Sequence, residues 1–183
     1  AVGDEVADLL VQKLSKSMKN LKFGAYTDST NDFGPVITKQ HQQSVINHIS
    51  SAEKQGANIV VDGRDAIVRG YENGFYVGGT LIDKVTPQMD SYKAEIFGPV
   101  LQIVRVATMK DAMSLIDNHE YGNGTCIFTR DGEAARYFSD HIKVGMVGVN
   151  IPLPVPVAYH SFGGWKRSLF GDLHAYGPDS IRF

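Results

Sequence analysis

The chain has 183 residues, of which 43% are hydrophobic and 21% are charged, a balance typical of a folded globular protein. A formal net charge of -2 and an isoelectric point near 6.3 indicate no basic surface for phosphates, so no nucleic-acid partner is expected. No apolar stretch approaches the roughly 20 residues that a membrane helix requires, and the first residues show no signal pattern. We therefore expect a soluble protein with no membrane partner.

The first third of the chain predicts two helices. Apolar residues recur at every fourth position from Val6 to Met18, which is typical of an amphipathic helix that begins almost at once. Thr38 is placed to cap a second helix that runs to about Gln55. Gly56 then ends this helix in the left-handed conformation that glycine adopts readily.

Short strands follow these helices. The stretch ANIVVDG, residues 57–63, predicts a strand closed by a turn. Asn73-Gly74 is a strong turn signal, and a run rich in β-branched and aromatic residues comes after it. The stretch VLQIVRV, residues 100–106, predicts one strand that is buried on at least one face.

Helices and strands continue to alternate in the second half. Thr108 with Asp111 three residues later forms a capping-box pattern before the next helix. TCIFT, residues 125–129, predicts a strand, Asp131 opens a helix that Gly145 is expected to end, and MVGVN is the last core strand. Strands interleaved with helices indicate βαβ units, so we predict a three-layer αβα fold with a mostly parallel sheet.

Two glycine- and proline-rich stretches follow the last strand. Three prolines between residues 152 and 156 alternate with apolar residues, which predicts a stiff extended loop at the carboxyl end of that strand. In α/β proteins this edge of the sheet is where ligands usually bind. Gly163-Gly164, followed by Lys166 and Arg167, is compatible with an anion site, but a tight turn is the interpretation we favour.

Few residues have the chemistry or spacing of a catalytic or metal site. The single cysteine, Cys126, fits a reducing compartment, cytoplasmic or, in a eukaryote, the mitochondrial matrix. It lies inside a strand pattern with no neighbouring histidine or cation to activate its thiol, so we interpret it as a core residue. Asp62 and Asp65 flank a turn and are expected to face solvent. The six histidines lack the spacing of a helical metal site, so we expect no metal.

Glu95 places a carboxylate directly before an almost unbroken apolar run, in SYKAEIFGPVLQIVRV, residues 91–106. A carboxylate removed from water needs hydrogen-bond partners, because its desolvation costs several kcal/mol. The residues alone leave two interpretations open: an acid that caps a helix or turn, or an acid that binds the hydroxyls of a ligand. Phe97 offers an aromatic face beside it.

Four motifs give this sequence a family resemblance. EIFGPVL, residues 95–101, resembles the signature of the NAD(P)-dependent aldehyde dehydrogenase superfamily. YGNGTCIFT, VGMVGVN and SFGGWKRS follow in the order and spacing of that superfamily. Asn123, the proline-rich IPLPVPV loop and the missing Ser-Gly pair after SFGGWKRS are similar to its CoA-acylating branch, the methylmalonate-semialdehyde dehydrogenase subfamily.

The resemblance implies an enzyme larger than this chain. Residues 1–183 would be a C-terminal part of the catalytic domain, truncated before the nucleophilic cysteine and lacking the NAD-binding domain. In the family, the cysteine thiolate attacks the aldehyde, NAD accepts the hydride, and CoA resolves the thioester. The implied products are propanoyl-CoA or acetyl-CoA with loss of CO2. The resemblance also implies a homo-oligomeric parent, and a fragment that is inactive alone.

The resemblance assigns three site residues. Glu95 matches the family glutamate that accepts hydrogen bonds from the nicotinamide ribose, and Phe97 matches the aromatic residue near the nicotinamide. Phe162 matches an aromatic residue that borders the aldehyde pocket. Cys126 does not match the family nucleophile, so no catalytic residue is expected within the chain. Two alternatives stay open: a hydrolytic aldehyde dehydrogenase that releases the free acid, and a non-catalytic binding or assembly module.

Overall fold

The computed structural model describes residues 1–157 and 159–182. The chain forms two compact units, Ala1–Ala107 and Thr108–Phe183. No helix among the described residues has both the length and the apolar character needed to cross a membrane.

The first unit contains two long helices, one short helix and three strand pairings, of which two are parallel and one is antiparallel. Its elements are β1 (Val2–Gly3), α1 (Asp4–Asn20), α2 (Lys39–Lys54), β2 (Asn58–Val61), β3 (Thr80–Asp83), α3 (Asp90–Lys93), β4 (Val100–Gln102) and β5 (Arg105–Val106). Strand β3 is central, antiparallel to β2 and parallel to β4, while β1 pairs with β5 in parallel. Both predicted helices are confirmed.

Helix α2 supplies one side of the core of this unit, and its ends form as the sequence predicts. The Thr38 hydroxyl accepts a hydrogen bond of 3.0 Å from the His41 amide, which satisfies one free N–H group of the first turn. Gly56 follows the helix with φ of 101°. Val45 and Ile49 are fully buried along the inner face of the helix.

The predicted strand at residues 100–106 is wrong as a single element. The chain forms β4 and then β5, because the two halves pair with different partners: β4 with β3, and β5 with β1. Buried Ile103 lies between them, and its amide still donates to the Ile82 carbonyl at 2.8 Å. Hydrophobic pattern predicts burial of this run but carries no information on where a strand changes neighbours.

A buried ion pair joins β3 to β5. The Asp83 residue is 2% exposed, and its two carboxylate oxygens accept hydrogen bonds of 3.1 Å and 2.7 Å from the Arg105 guanidinium. The hydrogen bonds from Arg105 are the main reason that the pKa of Asp83 lies below its ordinary value. Arg105 also pairs with the exposed Asp8 of α1. The pair therefore links two of the small sheets and the first helix.

The second unit is built around one parallel strand pair. Its elements are α4 (Met109–Asn118), β6 (Tyr121–Gly122), β7 (Gly124–Ile127), α5 (Gly132–His141), β8 (Met146–Val149), β9 (Trp165–Lys166) and a 3-10 helix (Gly177–Ile181). Strands β7 and β8 are parallel, and β6 and β9 are antiparallel. The α/β class is confirmed, although the strands of the described residues form four small sheets rather than one.

In this unit the predicted starts of both helices are confirmed, but the predicted end of α5 is wrong. Thr108 and Asp111 form both hydrogen bonds of the capping box, and the Asp131 carboxylate accepts from the amides at the start of α5. However, α5 ends at His141, not at Gly145. An added Cβ at Gly145 would lie 1.7 Å from the Gly163 carbonyl oxygen, so this glycine permits a close approach of two backbones.

Candidate functional site

Residues 95–98 form an ordered segment between α3 and β4 that presents two side chains to solvent. Ile96 is buried and joins the core cluster with Val45 of α2. Glu95 and Phe97, on either side of it, are exposed. This alternation anchors the segment through its middle residue while its two neighbours remain accessible.

The backbone at Phe97 has an unusual conformation. Its φ is 55°, in the left-handed region that bulky residues rarely adopt, and its side chain is 77% exposed. A large aromatic residue in this conformation, with its ring in water, gains no burial energy in return. Such combinations persist where the surrounding structure imposes them, and they concentrate at functional sites.

Helix α2 imposes this conformation through two contacts. The His41 Nε2 atom lies 2.9 Å from the Phe97 carbonyl oxygen. Gly98 packs against the helix so closely that an added Cβ would lie 2.8 Å from the Val45 Cγ2 atom. Only glycine fits there without displacing a fully buried side chain, so the position of the segment is set on both sides of the Phe97–Gly98 peptide.

The Glu95 carboxylate has no hydrogen-bond or ion-pair partner among the described residues. It therefore does not act as a helix or turn cap, which was one of the two interpretations that the sequence left open. An ionised carboxylate accepts hydrogen bonds only, and its two oxygens suit two adjacent hydroxyls. The exposed Phe97 ring beside it offers a flat apolar face. Together they fit a ribose diol next to a planar base.

Phe162 lies in the second unit, where it stacks on Tyr176 with ring centroids 4.4 Å apart. It borders two adjoining cavities of about 320 and 360 Å³, which His174 also lines. Pro154 and Pro156 of the predicted proline-rich loop line the smaller one. The described residues 151–157 of this loop have no regular secondary structure.

The basic residues after Gly163-Gly164 have structural partners, so the anion interpretation is not supported. The Lys166 ammonium donates hydrogen bonds of 2.9, 3.0 and 3.2 Å to the carbonyls of Ile116, Asp117 and His119, at the end of α4. Arg167 pairs with Glu120. A cation at a helix carboxyl end stabilises the free carbonyls and the helix dipole. The predicted tight turn at Gly163-Gly164 is wrong: the turn of this stretch lies at residues 165–168, where the Ser168 amide donates to the Trp165 carbonyl at 3.0 Å.

The other polar candidates are structural. Asp62 pairs with Arg64, whose hydrogen bonds are the main cause that lowers the pKa of this carboxyl, and Arg64 also bonds Glu53. Cys126 is half-buried in β7, where it is in register with Gly148 of β8. No cluster of three or more potential metal ligands occurs among residues 1–157 and 159–182.

The structure thus brings Glu95 and Phe97 together in one segment and places Phe162 in the other unit. Sequence reasoning missed His41, which holds the Phe97 carbonyl from 56 residues away in the chain. The sequence around His41 shows only the helix-cap signal of Thr38. The contact of His41 with Phe97 is not visible there, because it depends on how α2 packs against residues 95–98. It also missed the role of Lys166 as a helix cap.

Comparison with known proteins agrees with this fold. The model of the aldehyde dehydrogenase family matches residues 1–183. The chain belongs to the aldehyde dehydrogenase family.

Within this family, the chain is similar to malonate- and methylmalonate-semialdehyde dehydrogenases. The chain is 65% identical to the malonate-semialdehyde dehydrogenase of Pseudomonas aeruginosa over 182 residues, which are 100% of this chain and 37% of the relative. A crystal structure of methylmalonate-semialdehyde dehydrogenase from Oceanimonas doudoroffii superposes with a TM-score of 0.96 at 76% identity, over 100% of this chain and 37% of that one. A putative methylmalonate-semialdehyde dehydrogenase from Sinorhizobium meliloti, complexed with NAD, gives a TM-score of 0.96 at 56% identity, over 99% and 37%.

Proposed function

We propose that this chain is part of the catalytic domain of a longer, NAD-dependent and CoA-acylating dehydrogenase of malonate or methylmalonate semialdehyde. The chain spans 37% of the length of the relatives described above. The observation that carries the proposal is the exposed and unpartnered Glu95 carboxylate beside the exposed Phe97 ring. This pair is built as a docking point for a nucleotide that other parts of the enzyme also hold.

Residues of this chain would bind and orient NAD. The Glu95 carboxylate would accept hydrogen bonds from the hydroxyls of the nicotinamide ribose, and Phe97 would pack against the nicotinamide. When bound, NAD supplies the hydride acceptor for aldehyde oxidation. Because the 95–98 segment is held by α2 before the nucleotide arrives, little ordering is required on binding, and the reacting ring is placed in a defined position.

The remaining chemistry requires residues outside the chain. Cys126 is held in a strand pair, so the thiol that forms the thioester is proposed to lie elsewhere in the enzyme, and residues 1–183 alone are inactive. Phe162, at the edge of the cavities of the second unit, borders the aldehyde site. The CoA thiolate then displaces the enzyme thiol from the acyl group, which releases acetyl-CoA or propanoyl-CoA after loss of CO2. We further propose a soluble homo-oligomer.

Supplying CoA to the complete enzyme tests this proposal. With NAD and malonate or methylmalonate semialdehyde, we expect NADH and acyl-CoA to form in equal amounts, measured by absorbance and mass spectrometry. Desulfo-CoA, which lacks the thiol, is the control and should yield no acyl-CoA. A free acid formed at the same rate without CoA would identify a hydrolytic enzyme. Absence of NADH under all conditions would favour a non-catalytic module.

A further inference from the structure

We propose that His41 is a positioning residue for the nucleotide: its ring holds the Phe97 carbonyl and thereby fixes where the Phe97 ring meets NAD. This inference rests on the proposed function, but the contact itself is a feature of the chain. His41 lies in the first turn of α2, and the 2.9 Å contact from its Nε2 atom to the Phe97 oxygen spans 56 residues of sequence.

The contact with the Phe97 carbonyl identifies which ring nitrogen of His41 carries a hydrogen. A carbonyl oxygen can only accept, so the Nε2 atom of His41 must carry the hydrogen and donate it. The backbone of His41 is itself fixed, because its amide donates to the Thr38 cap at 3.0 Å. The donor therefore projects from a rigid helix start, and the carbonyl that it meets is held in one orientation.

The Phe97 carbonyl belongs to the Phe97–Gly98 peptide, which is the peptide of this segment most prone to rotate. The residue before it, Ile96, is anchored in the core, and the residue after it, Gly98, is locked against Val45. Between these anchors Phe97 has φ of 55°, which a bulky residue leaves readily when nothing opposes it. A rotation there would redirect the Phe97 ring while leaving the core intact.

Two substitutions of matched length separate this role from a general contribution to stability. His41→Gln keeps an N–H donor at about the same reach, whereas His41→Met has a similar length and no donor. His48→Met is the control, because His48 lies two turns further along α2 and its side chain has no hydrogen bond among the described residues. All are made in the complete enzyme.

For His41→Met we expect about a tenfold weaker NAD affinity by calorimetry, the scale of losing one such hydrogen bond. We also expect about a tenfold slower single-turnover hydride transfer, and faster amide hydrogen exchange in residues 94–98 without NAD. His41→Gln should stay within about threefold of the parent on each measure, and His48→Met should match the parent.

Several results would overturn the proposal. His41→Met could leave NAD affinity and exchange at the parent values, it could lower the melting temperature with NAD affinity unchanged, or it could fail to fold. Each of these results would show that His41 contributes only to the stability of the fold or has no role in positioning the nucleotide. If the unsubstituted enzyme does not bind NAD, the proposed function fails instead. The exchange of residues 94–98, which needs no NAD, then still decides whether His41 holds the segment.

Discussion

Replacing Glu95 by glutamine in the complete enzyme should slow hydride transfer about ten- to hundredfold while the melting temperature stays unchanged. The side chain is exposed and has no partner among the described residues, so the fold loses nothing when its charge is removed. A bound ribose diol, in contrast, loses one charge-assisted hydrogen bond and meets an amide donor where it needs an acceptor.

Single-turnover kinetics at saturating NAD measure this effect directly. The control is Glu5→Gln in the first turn of α1, another exposed carboxylate of the same unit with no partner among the described residues. It should behave as the parent. Unchanged NAD kinetics for Glu95→Gln, together with a large fall in melting temperature, would show that the acid serves the fold instead.

Replacing Asp83 by alanine should lower the free energy of unfolding by about 3 kcal/mol, because it breaks a buried ion pair and leaves one partner uncompensated. Its carboxylate is almost fully buried and accepts two hydrogen bonds from Arg105. Removal leaves the Arg105 guanidinium with the exposed Asp8 as its one ionic partner among the described residues. Urea unfolding followed by circular dichroism measures the change. Asp65→Ala, at an exposed turn, is the matched control and should cost less than about 0.5 kcal/mol.

The same pair predicts how stability depends on pH. The pKa of Asp83 is lower in the folded chain than in the unfolded chain, chiefly because of the Arg105 hydrogen bonds. Its contribution is therefore complete above the unfolded pKa and is lost as the pH falls through the lower folded value. The stability gap between the parent chain and Asp83→Ala should be constant near neutral pH and shrink below about pH 5. A stability difference between the parent and Asp83→Ala that does not change with pH would contradict this account of the Asp83–Arg105 ion pair.

The features that local sequence predicts well are those whose physics is local. Thr38, Asp111 and Asp131 cap helices because their side chains reach amides within three residues. Gly56 takes a positive φ directly after a helix. In each case the signal and its partner lie in the same turn of the chain, so no knowledge of packing is needed.

The features that the sequence did not reveal depend on contacts between distant segments. Gly145 was interpreted as a helix end, but it is small because the Gly163 backbone passes against it. The two strands at residues 100–106 are separate because their partners differ. Lys166 reaches the end of α4 from about 50 residues away, and His41 reaches Phe97 across a similar distance. Glu95 and Phe97 are predicted as site residues by the family resemblance and not by composition. The local sequence alone does not distinguish a capping role of Glu95 from a ligand-binding role.

A crystal structure of the complete enzyme with NAD tests the central claim most directly, namely that Glu95 and Phe97 form a prebuilt docking point for the nicotinamide riboside. We expect the Glu95 oxygens to lie about 2.5–2.8 Å from the two ribose hydroxyls. The Phe97 φ and the His41 contact should be the same as in this structure. A Glu95 carboxylate bonded to another protein group, or one that lies beyond about 4 Å from the ribose, would contradict the claim.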